Sequence, residues 1–394
     1  MNSSVKSVLE TRTARFRASK LAARVVLAIA SVAATVALAN LSGARTVRAP
    51  SDRPTAPAQP NMAPATPAGD PPLPERLSET GLYVAGSTSE IAPDNLPYAP
   101  QYPLWSDGAT KRRWVSLPQG KRIDASNPDE WQFPIGTRFW KEFSFGERTE
   151  TRYLERVRDG SFRYATYVWD RARRDALLAP QAGVQATREI RPGVQHDVPS
   201  DGDCRACHEG RRSPVLGFGA LQLSEERDPL APHREPQPSG GLDLAELLKR
   251  DLLRGLPVSV LSRAPRINAP SAEARASAGY LFGNCAHCHN GSGPLASLGL
   301  NLDQSVVEVG DRGYQQMRAN LVGRASRFRV PGQMRSLRIQ RKNPVSSALW
   351  FRMQSRFAAA QMPPLGSKLV DTEAVRLIER WIESDGRPSA SLHD

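Results

Sequence analysis

Cysteine is scarce in this chain: 394 residues contain four. All four fall in two short stretches, so none is left for a disulfide framework elsewhere. Histidine and methionine number six each, few enough for each to be weighed singly as a ligand. Acidic residues are outnumbered, 40 Asp and Glu against 53 Lys and Arg, giving a net charge of +13. That balance suits acidic partner proteins or an anionic membrane surface. No nucleic-acid-binding motif accompanies the charge, so nucleic acid is not an expected partner. Internal repeats are lacking beyond the two cysteine stretches. Long apolar runs are lacking too, apart from one near the N-terminus.

That run is residues 25–44, which carry no charge. Its strongly apolar part, residues 25–39, follows a basic flank with Arg12, Arg15, Arg17, Lys20 and Arg24. The length fits the apolar stretch of a secretory signal and is short for a membrane span. Ala37 and Ala39, or Ser42 and Ala44, supply the small residues that a signal peptidase needs. Counted to Ala44, the run is long enough for an uncleaved anchor, the main rival. Either way the body is exported. Nine prolines then lie in residues 50–74 among Ala, Thr and Ser. Such a chain buries too little apolar surface to offset its ordering, and an extended linker is expected.

The body divides by composition. Five of the seven tryptophans lie between Trp105 and Trp169. The runs "KRRWVSLP", "TRFWKEFSF", "TRYLERVR" and "FRYATYVWD" mix aromatic and β-branched residues with partial alternation, a strand pattern. Asp159-Gly160 between two of them signals a hairpin, and Pro118 to Gly120 another turn. An antiparallel, sandwich-like β domain is expected, with its aromatic residues in the core rather than lining a groove. After about residue 200 the pattern turns helical. Leu244, Leu247, Leu248 and Leu252 share one face behind an Asp243 cap, with Gly255 and Pro257 as the stop. Further helices are predicted behind Ser271 and Asp371, the latter with Val375, Ile378, Trp381 and Ile382 on one face. The expected architecture is therefore α+β and multidomain: a leader or anchor in 1–44, a linker in 45–78, a β-rich domain in 79–198, a first cysteine segment in 199–268 and an all-α domain in 269–386.

The cysteines answer to one pattern. "DGDCRACHEG" holds Cys204, Cys207 and His208; "LFGNCAHCHN" holds Cys285, Cys288 and His289. On a helical turn each trio occupies i, i+3 and i+4, so all three side chains point one way. Two thiols so placed can add across the two vinyl groups of one haem, and the adjacent imidazole then meets the iron. Cys-x-x-Cys-His is the attachment pattern of c-type haem. A structural disulfide would suit an oxidising compartment, and "CAHC" resembles the redox pair of thiol oxidoreductases. Neither explains a histidine after both pairs. A zinc site from all four cysteines would need tighter spacing. Two covalently attached c-type haems are expected, and the export signal agrees, because that attachment takes place in the bacterial periplasm.

An iron held by histidine usually takes a second axial ligand. After His289 the chain offers Met317, Met334, Met353 and Met362. Met362 stands in "QMPPLGS", where two prolines stiffen the loop; the other three read as core residues of helices. His/Met ligation raises the reduction potential and suits electron transfer. For the iron beside His208 no methionine lies before Cys285, and His196 and His233 are the candidates.

Residues 272–384 resemble a class I-type cytochrome c domain. The stretches that carry the likeness are "ARASAGYLFGNCAHCHN", "NPVSSALWFRM", "MPPLGS" and "VDTEAVRLIERWI". The resemblance implies His289 and Met362 as axial ligands, Cys285 and Cys288 as thioether donors, and a small-aromatic crossing of the first and last helices at Gly279-Tyr280 against Trp381. The upstream stretches "YPLWSDGATKRRWVSLP", "WQFPIGTRFWKEF" and "VPSDGDCRACHEG" resemble an uncharacterised group of exported dihaem cytochromes with a Trp-rich β region, which brings no activity with it.

Three functions compete. The first is a periplasmic electron carrier, soluble or anchored through residues 25–44, passing electrons between a dehydrogenase and a terminal acceptor. The second is a dihaem peroxidase-like enzyme. The third is a ligand-binding β module whose haems act as a relay.

Overall fold

The computed structural model describes residues 69–385 apart from Arg173 and Val309. The leader or anchor and most of the proline-rich stretch lie outside the described residues. Where the stretch enters them, it is no free linker. Leu73 packs on the sheet core, and the Pro74 carbonyl accepts the Tyr167 hydroxyl at 3.0 Å.

The alternating runs form strands whose aromatic and β-branched side chains meet an apolar layer on each face of the sheet. β1 (Leu96–Pro97), β2 (Thr110–Ser116), β4 (Arg138–Phe145), β5 (Glu147–Arg156), β6 (Phe162–Trp169) and β7 (Ala176–Leu178) make one six-stranded antiparallel sheet in the order β1-β2-β4-β5-β6-β7. β3 (Ile123–Asp124) pairs in parallel with β10 (Leu253–Arg254), whereas β8 (Val184–Arg191) and β9 (Val194–Val198) form an antiparallel pair. Asp159-Gly160 turns the β5–β6 hairpin; Gly160 takes φ +85°, open to glycine at no steric cost.

Register assigns the faces. Trp114, Trp140, Tyr153 and Ala165 stand opposite one another across four strands. They pack under Leu77, Leu82 and Tyr83 of the preceding chain. Trp140 is buried, and its indole N–H donates to Thr80 Oγ1 at 2.9 Å, so its polar edge is satisfied. On the other face Val115, Phe139 and Leu154 meet Phe133, Phe218, Leu242 and Leu247. Each face is therefore covered by irregular chain and short helices, not by a second sheet of like size. The tryptophans at 114, 131, 140 and 169 are all buried, as core residues.

The rest is mostly helical: α1 (Asp201–His208), α2 (Leu244–Lys249), α3 (Val258–Leu261), α4 (Ala272–Cys285), α5 (Arg312–Leu321), α6 (Ala348–Gln354) and α7 (Thr372–Glu383). Asp243, Ser271 and Asp371 cap their helices as predicted, each accepting a backbone N–H three residues on. α2 stops well short of Leu252, because the chain turns there to pair Leu253 with Ile123.

α4 packs on α7, with Tyr280 and Trp381 in one cluster. The close approach at Gly279 is made elsewhere, however. A Cβ on Gly279 would lie 1.9 Å from the Tyr102 ring, and one on Gly283 2.5 Å from the Tyr102 carbonyl oxygen. Those glycines admit the segment ahead of β2, while Trp381 donates to the Tyr314 hydroxyl on α5 at 3.1 Å. Tyr98 belongs to the sheet core and Tyr102 to the helical one, so five residues of chain stitch the two together.

Candidate functional site

α1 is a short helix with a strong start. Ser200 Oγ accepts the Asp203 N–H at 3.2 Å, and Asp203 Oδ2 accepts the Ser200 N–H at 3.0 Å, a reciprocal capping pair. The last turn carries Cys204, Cys207 and His208, all half-buried. α1 lies on the second face of the sheet, its His208 ring 5.3 Å from the Tyr164 ring of β6. His208 Nδ1 is 2.6 Å from the Pro214 carbonyl oxygen. A carbonyl only accepts, so Nδ1 bears the proton and Nε2 keeps its lone pair. Burial pushes His208 down to about 4 and keeps it neutral at physiological pH. An imidazole fixed in one tautomer by a carbonyl is arranged as a metal ligand is.

Cys285 ends α4, and the Cys288 and His289 N–H groups donate to its carbonyl at 3.2 and 2.8 Å. The second trio thus shares a helical turn, as the first does. Burial lowers the His289 pKa, and its buried Nδ1 has no hydrogen-bond partner among the described residues.

All four cysteines are free. Burial raises every one of their pKa values, Cys207 to about 11 and Cys285 to about 12. A redox-active pair needs a depressed thiol pKa and gets the opposite here. No group of three or more His, Cys, Asp or Glu side chains able to hold a metal ion occurs among the described residues, which leaves the four-cysteine zinc reading without its ligand set.

The two motifs touch, though 80 residues apart in sequence. Asn290 Nδ2 donates to the Gly210 carbonyl at 3.0 Å, and the Cys288 sulfur lies 3.8 Å from the Ala206 carbonyl oxygen. A Cβ on Gly210 would sit 2.3 Å from the His287 carbonyl oxygen, and one on Gly293 2.4 Å from the Gly210 oxygen. Glycine at both positions lets the backbones meet.

Met362 follows α6 on a loop. Its N–H donates to the Arg352 carbonyl at 3.0 Å, and the Arg352 charge also acts on His289. Farther along, Asp107 holds the loop by the backbone of Lys368 and Leu369. Met317 and Met353 are buried in α5 and α6, but Met334 corrects the core reading: it is 92% exposed outside any helix.

Of the two histidines named for the first iron, His233 has both ring nitrogens engaged, whereas His196 Nε2 makes no hydrogen bond among the described residues. His233 sits between Asp371 at 2.8 Å and Glu373 at 3.3 Å and packs on Trp105. His196 faces Glu150 at 3.5 Å, against Phe145. Sequence reasoning passed over Pro214, Gly210, Asn290 and His287. Only the proline six residues past His208 had a local signal.

No protein-family model, curated protein or solved structure matches this chain.

Proposed function

We propose that the protein is an exported dihaem c-type cytochrome that carries electrons between periplasmic redox partners. The observation that carries this reading is the pair of Cys-x-x-Cys-His turns in direct contact; burial shifts the thiols and imidazoles of both toward their uncharged forms. The donor set fits the cofactor. Each S–H would add across a vinyl group, forming one S–C bond and passing its hydrogen to the neighbouring carbon, with no oxidant needed. Cys204 and Cys207 would hold one haem, Cys285 and Cys288 the other.

When bound, haem iron supplies reversible one-electron chemistry. The chain does the rest. His208 and His289 present imidazole nitrogens, and the Pro214 carbonyl fixes the first of these in orientation and raises its basicity. Met362 would supply a second ligand to the iron held by His289. The residues 269–386 are read as a cytochrome c-like domain, and the β region as the docking surface. Glycine contacts at the motif joint keep the two attachment turns side by side, which favours transfer within one chain. No helix among the described residues is long and apolar enough to cross a membrane; anchoring would rest on residues 25–44.

The purified exported protein should hold two haems per chain, and Cys204→Ser with Cys207→Ser should hold one. Met362→Ala should lower one reduction potential and abolish the absorption band of thioether-bound ferric haem. A colourless wild-type protein from cells that attach haem would end the reading. Because His233 is held by two carboxylates and His196 lies against Glu150, a second reading remains: a peroxidase-like enzyme with a reactive first iron. Peroxide turnover above that of free haem would favour it.

A further inference from the structure

Lys141 on β4 stands directly opposite Arg113 on β2 and Arg152 on β5, so three cations form a row across the sheet. Like charges placed opposite one another destabilise a sheet unless something relieves them. Two of the three are relieved. Arg113 is gripped by both carboxylate oxygens of Glu235, which Lys111 also approaches at 3.5 Å. Arg152 donates twice to Glu150, at 2.8 and 2.6 Å. The Lys141 side chain makes no salt bridge and no hydrogen bond among the described residues; its ammonium rests 4.8 Å from the Phe143 ring, which Arg152 also covers at 4.3 Å.

The row lies on the sheet face that receives α1. His208 and His287 both feel the Lys141 charge, and Cys204 and Cys207 feel that of Arg152. Lys141 is deep in the protein yet keeps some accessible surface, as His208 does. An unpaired ammonium at such depth is costly, and burial drives its pKa well down. The chain pairs two acids with its neighbours, and Lys141 feels Glu235 only without direct contact.

We infer that Lys141, flanked by Arg152, is the seat of a carboxylate that the chain itself does not supply: a propionate of the haem held by Cys204, Cys207 and His208. This rests on the dihaem reading. The motif is the source of the anion, since the cofactor it attaches carries two carboxylates and the cation row faces it.

The test is a redox titration of the full, haem-loaded protein. Lys141→Gln removes a positive charge that favours electron uptake, so the first haem should become about tenfold harder to reduce, a fall of ~59 mV for one electron. The second potential should stay put, and Lys141→Arg should restore the first. Melting gives an independent sign. Lys141→Gln should lower the melting temperature if a carboxylate is paired there and raise it if Lys141 is an unrelieved charge. An unchanged first potential or a raised melting temperature, with two haems still counted, overturns the assignment. A wild-type potential that responds to added acetate, and ceases to in Lys141→Gln, overturns the propionate in favour of an exchangeable anion. One haem per wild-type chain removes the dihaem reading itself, an outcome distinct from the others.

Discussion

The Asp107 carboxylate accepts the Lys368 and Leu369 N–H groups at 2.9 and 2.8 Å and the Ser367 hydroxyl at 3.1 Å, across 260 residues of sequence. One buried side chain between β1 and β2 thereby sets the loop that runs from Met362 to α7. Asp107→Ala leaves these donors without their acceptor. The expected loss is about 2–4 kcal/mol in urea denaturation. On the cytochrome reading the absorption band tied to Met362 should weaken in the same variant, and an intact band would detach Met362 from this loop's integrity.

Gly279→Ala puts a methyl group 1.9 Å from the Tyr102 ring. The ring is enclosed and cannot swing aside freely, so a cost of about 1–3 kcal/mol is expected. Adding Tyr102→Ala removes the clash. The double variant should therefore be more stable than the sum of the two single losses, which a double-mutant cycle reads directly. Strict additivity would mean that the helix moves instead.

The thiols are expected to be sluggish nucleophiles. Burial lifts Cys207 to about 11 and Cys285 to about 12. In chain produced without haem attachment, iodoacetamide should label them slowly at neutral pH and readily once urea unfolds the protein. Rapid labelling of the folded chain would revive the thiol-redox alternative.

His287 makes the protein acid-sensitive. Burial pushes its pKa from 6.5 to about 4. Between those values the unfolded chain takes up a proton that the folded chain refuses. Stability therefore falls as pH drops through that window, by up to about 3 kcal/mol. His287→Asn should flatten this part of the stability profile measured by denaturant titration. An unchanged slope would place the proton uptake on another group.

The strands were legible because aromatic and β-branched residues recur in short, partly alternating runs, and Ser271 and Asp371 announced their helices by capping chemistry. Other features need the third dimension. Lys141 reads as an ordinary solvated lysine until register sets it between Arg113 and Arg152. Gly279 reads as a helix–helix contact until Tyr102 arrives from far upstream; even the neighbouring bond from the Trp105 N–H to Asn284 spans 179 residues. Leu252 continues the leucine spacing of α2, yet backbone pairing with β3 takes over there. In the same way the meeting of the cysteine turns rests on glycine, whose lack of a side chain leaves no periodic trace.

Tyr102 has a consequence for how this protein can be dissected. Its ring fills a notch in α4 that no residue after 268 occupies, and its hydroxyl donates to Asp228 at 3.1 Å. A fragment cut to begin at residue 269 would expose that notch to water and lose the chain that braces the Met362 loop. The C-terminal helices are therefore not a cassette to be transplanted between proteins; they mature only as part of the whole body.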